Sequence, residues 1–277
     1  MKTIISIAFC LISVQPFAQR LHVNAFAGAS NYSGDLQPKR FSLSHPGFAR
    51  GLGISYDISD KISIRAEYSY AKITGDDKLS SRNQVRNLNF TSYISEWQIA
   101  GEYYLKDMQE YSTSPYLFAG VAVYHFNPFT NDTSGNKAYL KFLNTEGQGF
   151  YQNRKPYNLT QFAIPFGAGY KWVLTNNISL GIELGMRKLF TDYLDDVSTT
   201  YVDQNLLLSN SGPKAVELSF RSNELNKGLQ PYPADGTQRG DPKDKDWYYF
   251  TVLKASVALG NSDNRKHSSK LGCPTRF

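Results

Sequence analysis

The stretch ISLGIELGMRKLF, residues 178–190, decides how the rest of the chain is read. Ile178, Leu180, Ile182, Leu184 and Met186 share one parity, while Ser179, Gly181, Glu183, Gly185 and Arg187 share the other. A strand projects alternate residues to opposite faces, so this segment has one oily face and one small or charged face. The fold turns on which of the two meets water.

The pattern recurs along the chain. In GFARGLGISYDIS, Phe48, Leu52, Ile54, Tyr56 and Ile58 oppose Gly51, Gly53, Ser55 and Asp57; in ISIRAEYSY, Ile62, Ile64, Ala66, Tyr68 and Tyr70 oppose Ser63, Arg65, Glu67 and Ser69. Only Asp60 and Lys61 separate these runs, which predicts a tight hairpin. Further on, Tyr93, Trp97, Ile99 and Tyr103 oppose Glu96, Gln98 and Glu102, and Phe162, Ile164, Phe166, Tyr170 and Trp172 oppose Gln161, Gly167, Gly169 and Lys171. Near the end, Trp247, Tyr249, Leu253, Ala255, Val257 and Leu259 oppose Lys254 and Ser256. Two less regular runs, from Leu21 and from Pro115, bring the expectation to about eight strands, an even number as bacterial outer-membrane barrels require.

Placing the charged face in solvent would require the oily face to meet a second sheet, as in a soluble sandwich. Length argues against that. Soluble strands average about five or six residues, and these runs are roughly twice as long. About 11 residues at about 3.3 Å each, tilted by about 45°, rise about 26 Å, close to the apolar band of an outer membrane. Connections are short or moderate near Asp60, Met108 and Asn176, and long near His45, Asn83, Thr145 and Gly212. The expected fold is therefore all-β: an eight-stranded antiparallel transmembrane β-barrel with short periplasmic turns and long extracellular loops. Mean hydropathy of −0.43 is compatible, because only every second strand residue faces lipid. Outside, the wall is expected to meet outer-membrane lipid and lipopolysaccharide.

Enclosed by such a wall are Arg65, Lys171, Arg187 and Lys254 with Glu67, Glu96, Glu102 and Glu183. An eight-stranded barrel is just wide enough for its inward side chains to fill, so these charges are expected to pair into a plug. A proton or ion path through them stays open as an alternative. Aromatic residues make up 14% of the chain and gather toward strand ends. Tyr68, Tyr70, Trp97, Tyr103, Tyr170, Trp172, Trp247 and Tyr249, with their neighbours Tyr104 and Tyr248, are expected to form girdles at the headgroup levels.

The start, MKTIISIAFCLISVQPFAQ, combines Lys2, an apolar run from Ile4 to Val14 and the small residue Ala18 before Gln19. It predicts a secretory leader over residues 1–18, cleaved on export, with the barrel over 19–260 and a polar periplasmic tail over 261–277. A lipoprotein reading of Cys10 is weakened by Phe9, which stands where a small residue is expected. Cleavage would leave Cys273 alone, giving neither an intramolecular disulfide nor a thiolate cluster. Net charge of +6 suits a neighbourhood of anionic headgroups. No basic block is dense enough to indicate nucleic acid.

Catalytic signals are sparse. His22, His45, His125 and His267 are scattered without metal-ligand spacing, and no G-x-S-x-G elbow occurs. No cofactor and no enzyme activity are expected, although a rim residue combining with His125 stays open. The run FTDYLDDVSTTYVD sets Asp192, Asp195, Asp196 and Asp203 just beyond the outer end of the opening strand. It lacks the pattern of a dedicated calcium loop, and a solvated or loop-ordering role is expected. Arg239, Lys243 and Lys245 of RGDPKDKDWYYF could neutralise those acids or meet lipid phosphates.

GASNYSGDL, SPYLFAGVAVYHFNP, NTEGQG, LTQFAIPFGAGYKW, RKLFTDYLDDVSTTYVD and RGDPKDKDWYYF follow one another in that order. The sequence, from about Ala27 to Leu259, resembles the PorG-like outer-membrane β-barrels of type IX secretion. The resemblance implies a non-enzymatic outer-membrane component associated with a periplasmic ring of a PorK-like lipoprotein and a PorN-like protein. The loop residues that carry it are Asp192, Tyr193, Asp195, Asp196, Tyr201, Asp203, Lys243, Asp244, Lys245 and Asp246. Contacts with partners are expected through turns such as 106–114 and through the tail.

Overall fold

The structure, a computed structural model, describes residues 20–37, 46–79, 83–225 and 230–260. The expected leader, the tail, Cys10, Cys273, His45 and His267 lie outside them. Eight long strands form the wall: β1 (Leu21–Ser33), β2 (Gly47–Asp57), β3 (Ile62–Asp76), β4 (Asn89–Tyr104), β5 (Thr113–His125), β8 (Thr160–Val173), β9 (Ile178–Leu189) and β10 (Trp247–Ala258). Each pairs antiparallel with its neighbours, and β1 pairs with both β2 and β10. The sheet therefore closes on itself and leaves no long unpaired edge among these strands.

The connections 58–61, 105–112 and 174–177 are short and lie at one end, while the described parts of the longer connections, 34–37, 77–79, 83–88, 126–159, 190–225 and 230–246, lie at the other. Two features of the long connections are additional to the expected eight strands. A small hairpin, β6 (Phe129–Asn131) and β7 (Lys137–Tyr139), extends the wall by pairing Phe129 with Thr91 of β4. The last long loop contains two short helices, α1 (Gln204–Ser211) and α2 (Pro213–Ser219). Asp203 caps α1 by accepting the amides of Asn205 and Leu206, at 3.0 and 2.9 Å. The turn Gly212-Pro213 then starts α2 with proline in its first turn.

The 178–190 segment supplies β9, with its oily face outward. In β9, Leu180, Ile182 and Leu184 are exposed and Ser179, Gly181, Glu183, Gly185 and Arg187 are buried. The same inversion runs round the wall: Leu52, Trp97, Val121 and Leu253 are each more than three-fifths exposed, whereas Arg65 and Glu67 are 1% exposed. Small residues make room for the enclosed charges. A Cβ on Gly185 would fall 2.7 Å from the Arg187 guanidinium and 2.9 Å from the Phe118 ring, and one on Gly169 would fall 2.4 Å from the Tyr116 ring.

The inside is layered. At the short-turn end it is polar, a charged layer follows, and above it Phe26, Ile73, Ile94, Tyr124, Leu189, Tyr248 and Phe250 form an apolar and aromatic layer. That layer reaches the folded outer loops through Phe126, Tyr157 and Leu194. Burial of these large side chains fills the upper barrel, each contributing roughly 1.5–3 kcal/mol relative to exposure in water.

The inversion predicts that spin labels at Leu180, Ile182 and Leu253 of the protein in lipid will collide with oxygen, while a label at Lys243 will collide with a water-soluble relaxant. High accessibility of position 182 to the aqueous reagent would overturn the assignment of faces. Ile182→Arg is expected to lower the stability of the bilayer-inserted barrel by roughly 2–4 kcal/mol if it lies near the midplane, as measured by urea titration in vesicles.

Candidate functional site

The charged layer is built by β3, β4, β8, β9 and β10. Arg65 lies at its centre: its register partners are the small residues Ser55 on β2 and Ala100 on β4, Glu102 lies two residues from Ala100 on the same face, and barrel closure brings Glu183 of β9 across. Its Nη1 donates to Glu102 Oε1 and Glu183 Oε2, both at 2.5 Å, and its Nη2 donates to Glu183 Oε1 at 3.0 Å. Its Nε lies 3.3 Å from Glu67 Oε2 as an ion pair. Lys254 bridges Glu67 at 2.8 Å and Glu183 at 3.2 Å. Tyr116 donates to Glu183 at 2.7 Å and Tyr104 to Glu102 at 2.5 Å, and Lys171 donates to the Tyr104 hydroxyl at 3.1 Å. Gln98 completes Glu67 with a 2.6 Å bond.

A second group lies toward the outer end. Arg187 pairs with Glu96 at 3.0 Å, and Tyr248 donates to the same carboxylate. The two guanidinium groups also face rings, Arg65 over Phe118 at 4.2 Å and Arg187 over Phe250 at 4.0 Å. Cation–π contact in a water-poor space adds to the carboxylate bonds. All eight charged residues named from the sequence thus enter the interior network. The void beside Glu102 and Lys254 is about 10 Å³, room for about one water. The geometry is a plug held by ion pairs.

The aromatic residues divide. Tyr70, Trp97, Tyr103 and Trp172 are exposed on the outer wall, and Tyr68, Tyr170 and Trp247 are half-buried there. Trp97 sits mid-strand against Tyr68, not at a rim. Tyr104 and Tyr248 point inward and bond carboxylates, because consecutive strand residues cannot share a face. Tyr249 is 3% exposed and therefore leaves the expected girdle. Consecutive residues 30–33 and 248–250 are all buried, so both faces of the wall are covered at that level.

The outer loops enclose a second polar site. Of the solvated or loop-ordering role expected for the aspartates, Asp192, Asp195 and Asp196 take the loop-ordering one: they are buried, and Asp246 is buried with them. Tyr32 donates to Asp195 and, at 3.3 Å, to Asp246; the Leu194 amide donates to Asp246 at 2.9 Å. Asp192 accepts Ser198 at 2.7 Å, and Asp196 accepts Thr145 at 2.5 Å and Tyr157 at 2.8 Å. Tyr193 stacks on Tyr157 at 4.9 Å, and Tyr201 packs edge-on against Phe220 and Tyr232. Arg239 turns to Glu146 at 2.9 Å and to the Asp196 carbonyl at 2.7 Å. Asp203, Lys243, Asp244 and Lys245 stay exposed, the last donating to the Pro242 carbonyl.

Sequence reasoning missed Tyr32, Glu146 and Arg86 as centres of this cap, and it named Arg239 beside the aspartates without its Glu146 partner. Glu146 accepts the amides of Ser198 and Thr199, and Arg86 donates to Asp77 and to the Arg239 carbonyl. The signal was present in GASNYSGDL, NTEGQG and RGDPKDKDWYYF, which supply Tyr32, Glu146 and Arg239. Their convergence is a tertiary fact. Among the described residues, no group of three His, Cys, Asp or Glu side chains is arranged to hold a metal ion. At the short-turn end, a polar cavity of about 200 Å³ is lined by Arg20, His22, Asp57, Asp60, Tyr104 and Lys171, with His22 Nε2 2.8 Å from Asp57.

Burial raises the carboxyl pKa of Asp192 to about 7 and of Asp196 to about 6, and it holds those of Asp195 and Asp246 well above the usual range, helped by repulsion from neighbouring carboxylates. The folded cap therefore binds protons that the unfolded chain has already released. Stability falls as pH rises from about 4, the unfolded value, through about 7. Limited proteolysis of the outer loops is expected to accelerate between pH 5 and pH 8, after correction for protease activity, with Asp195→Asn flattening the profile. In the barrel, Arg65→Met is expected to lower stability by about 3–5 kcal/mol by stranding buried carboxylates, and adding Glu102→Gln should recover part of the loss in urea titrations.

Among solved structures, the chain is similar to Neisserial surface protein A, at 13% identity and a TM-score of 0.41, covering 86% of this chain and 96% of that one. It is similar also to Ail of Yersinia pestis, at 7% and 0.41 over 86% and 97%, and to a major outer membrane protein from Thermus thermophilus, at 14% and 0.40 over 86% and 98%. No curated protein matches the sequence. The family model described as Domain of unknown function (DUF6089) matches residues 1–209, well over half of the sequence, and the chain belongs to that family.

Proposed function

We propose that the protein is an outer-membrane barrel that acts without enzyme activity as a component of a type IX protein secretion assembly. The observation that carries the membrane part is the inverted wall, with Leu180, Ile182 and Leu253 exposed outside and Arg65, Glu67 and Glu183 enclosed. Water would leave the outer face unstabilised, whereas hydrocarbon covers it. Export through the 1–18 leader brings the chain to the outer membrane, with the long connections outward and the short turns in the periplasm.

A plugged barrel does not itself conduct, so its contribution is to anchor. The short turns and the polar inner mouth around Arg20, Asp57, Asp60 and Lys171 present hydrogen-bonding groups to a periplasmic partner. The PorG-like order of motifs supports a PorK-like lipoprotein and a PorN-like protein as that partner. A second reading, a structural or surface-binding barrel, is favoured by the folded outer cap, where helices and buried hydrogen bonds replace loose loops.

Deleting the gene is expected to block delivery of secreted cargo to the cell surface, and tagged protein extracted in mild detergent is expected to retain the two ring proteins. Undiminished secretion would remove the type IX role while leaving the barrel intact. Replacing residues 204–219 by a short Gly-Ser linker separates the readings: loss of cell-surface binding with normal secretion favours the second. Incubation of the purified protein with phospholipid and lipid A is expected to leave both unchanged.

A further inference from the structure

The outer-end wall of β2, β3 and β4, continued by the β6–β7 hairpin, carries a row of outward rings and cations. Arg50 lies 5.9 Å from the Tyr70 ring, Tyr70 stacks on Tyr93 at 5.8 Å and 12°, and Tyr93 stacks on Phe129 at 6.1 Å and 21°. Tyr139 meets Phe129 at 6.0 Å. Lys137 stands over three of these rings, 3.7 Å from Phe129, 4.8 Å from Tyr139 and 5.9 Å from Tyr93. Lys72 is the register partner of Tyr93 on β3. Arg50, Lys72 and Lys137 are exposed, and none belongs to an ion pair among the described residues.

Directly below this row the wall is apolar. Leu52, Tyr68, Trp97 and Val123 form one register line across β2 to β5, and Ile54, Ala66, Ile99 and Val121 form the next. Leu52, Trp97 and Val121 are the most exposed apolar residues of these lines. The interior cations differ sharply, since each of Arg65, Arg187 and Lys254 has its carboxylate. Unpaired cations, aligned by stacked rings above a broad greasy panel, need an amphiphile whose anionic head is wide and whose chains are several.

We propose that this panel binds a phosphorylated glycolipid of the outer leaflet, its phosphates on Arg50, Lys72 and Lys137, its sugar rings against Tyr70, Tyr93 and Tyr139, and its acyl chains along Leu52, Trp97, Ile99 and Val121. The proposal rests on the outer-membrane orientation argued above. Charge complementarity selects the phosphate, and flat aromatic faces suit the apolar faces of sugar rings. Three side chains in an arc suit a head with more than one phosphate. A single phosphodiester would leave cations unpaired.

The test uses the full chain in detergent micelles, titrated with diphosphorylated lipid A, dephosphorylated lipid A or phosphatidylglycerol, with bound lipid counted by native mass spectrometry. Wild type is expected to bind diphosphorylated lipid A at least roughly tenfold tighter than either other lipid, and R50Q/K72Q/K137Q to lose that preference. K137R should retain it, and K188Q, on the β9 strand, should leave it unchanged. Equal binding of phosphatidylglycerol, or undiminished preference in the triple variant, overturns the site. Heat-modifiable gel migration of each variant reports the folded barrel separately. Soluble wild-type monomer without detergent would instead overturn the membrane reading.

Discussion

Arg65 is the interaction on which the rest of the barrel depends. Its guanidinium joins β3 to β4 through Glu102 and to β9 through Glu183, while Lys254 ties β10 to Glu67 and Glu183. Strand number and stagger set the radius of the wall, and these ion pairs fill the space it encloses. Gly185 and Gly169 leave room in the same layer for Arg187, Phe118 and Tyr116. A buried ion pair is weak evidence of net stability, since desolvation offsets much of the attraction. Its strength here is geometric: removing any partner leaves charge where water has almost no room.

The two polar sites solve burial differently. In the barrel, acids and bases meet in close ion pairs supported by tyrosine hydroxyls. In the outer cap, acids outnumber nearby bases, and several are held by hydroxyl donors and amides, as Asp192 and Asp196 are. Burial then favours the protonated form. The barrel is thus a lattice of ion pairs, and the cap is a layer of buried carboxyls with raised pKa. Between the Arg65 cluster and the cap lies the aromatic layer of Tyr124, Tyr248 and Phe250.

The outer surface repeats the separation of roles. Below the rim it presents a broad apolar panel, and at one arc of the rim it presents cations held upright by rings. The inner mouth, by contrast, is polar and open, with His22 and Asp57 at hydrogen-bond distance. The barrel thus has three chemically distinct zones: an apolar outer panel, an interior of paired charges and a polar inner mouth.

Strand number, parity and the long and short ends were legible in sequence because a period of two is a local property, visible in Ile178 to Arg187 without any neighbour. For the same reason all eight interior charges could be named from their strands. Their pairing could not, since Arg65 and Glu183 are 118 residues apart and meet only when the sheet closes. Strand periodicity ends where the loops begin, so the burial of Asp195 and Asp246, the turn of Arg239 toward Glu146 and the covering of Tyr249 needed the tertiary structure. Local alternation determines which face a residue takes; only closure and loop packing decide what waits on that face.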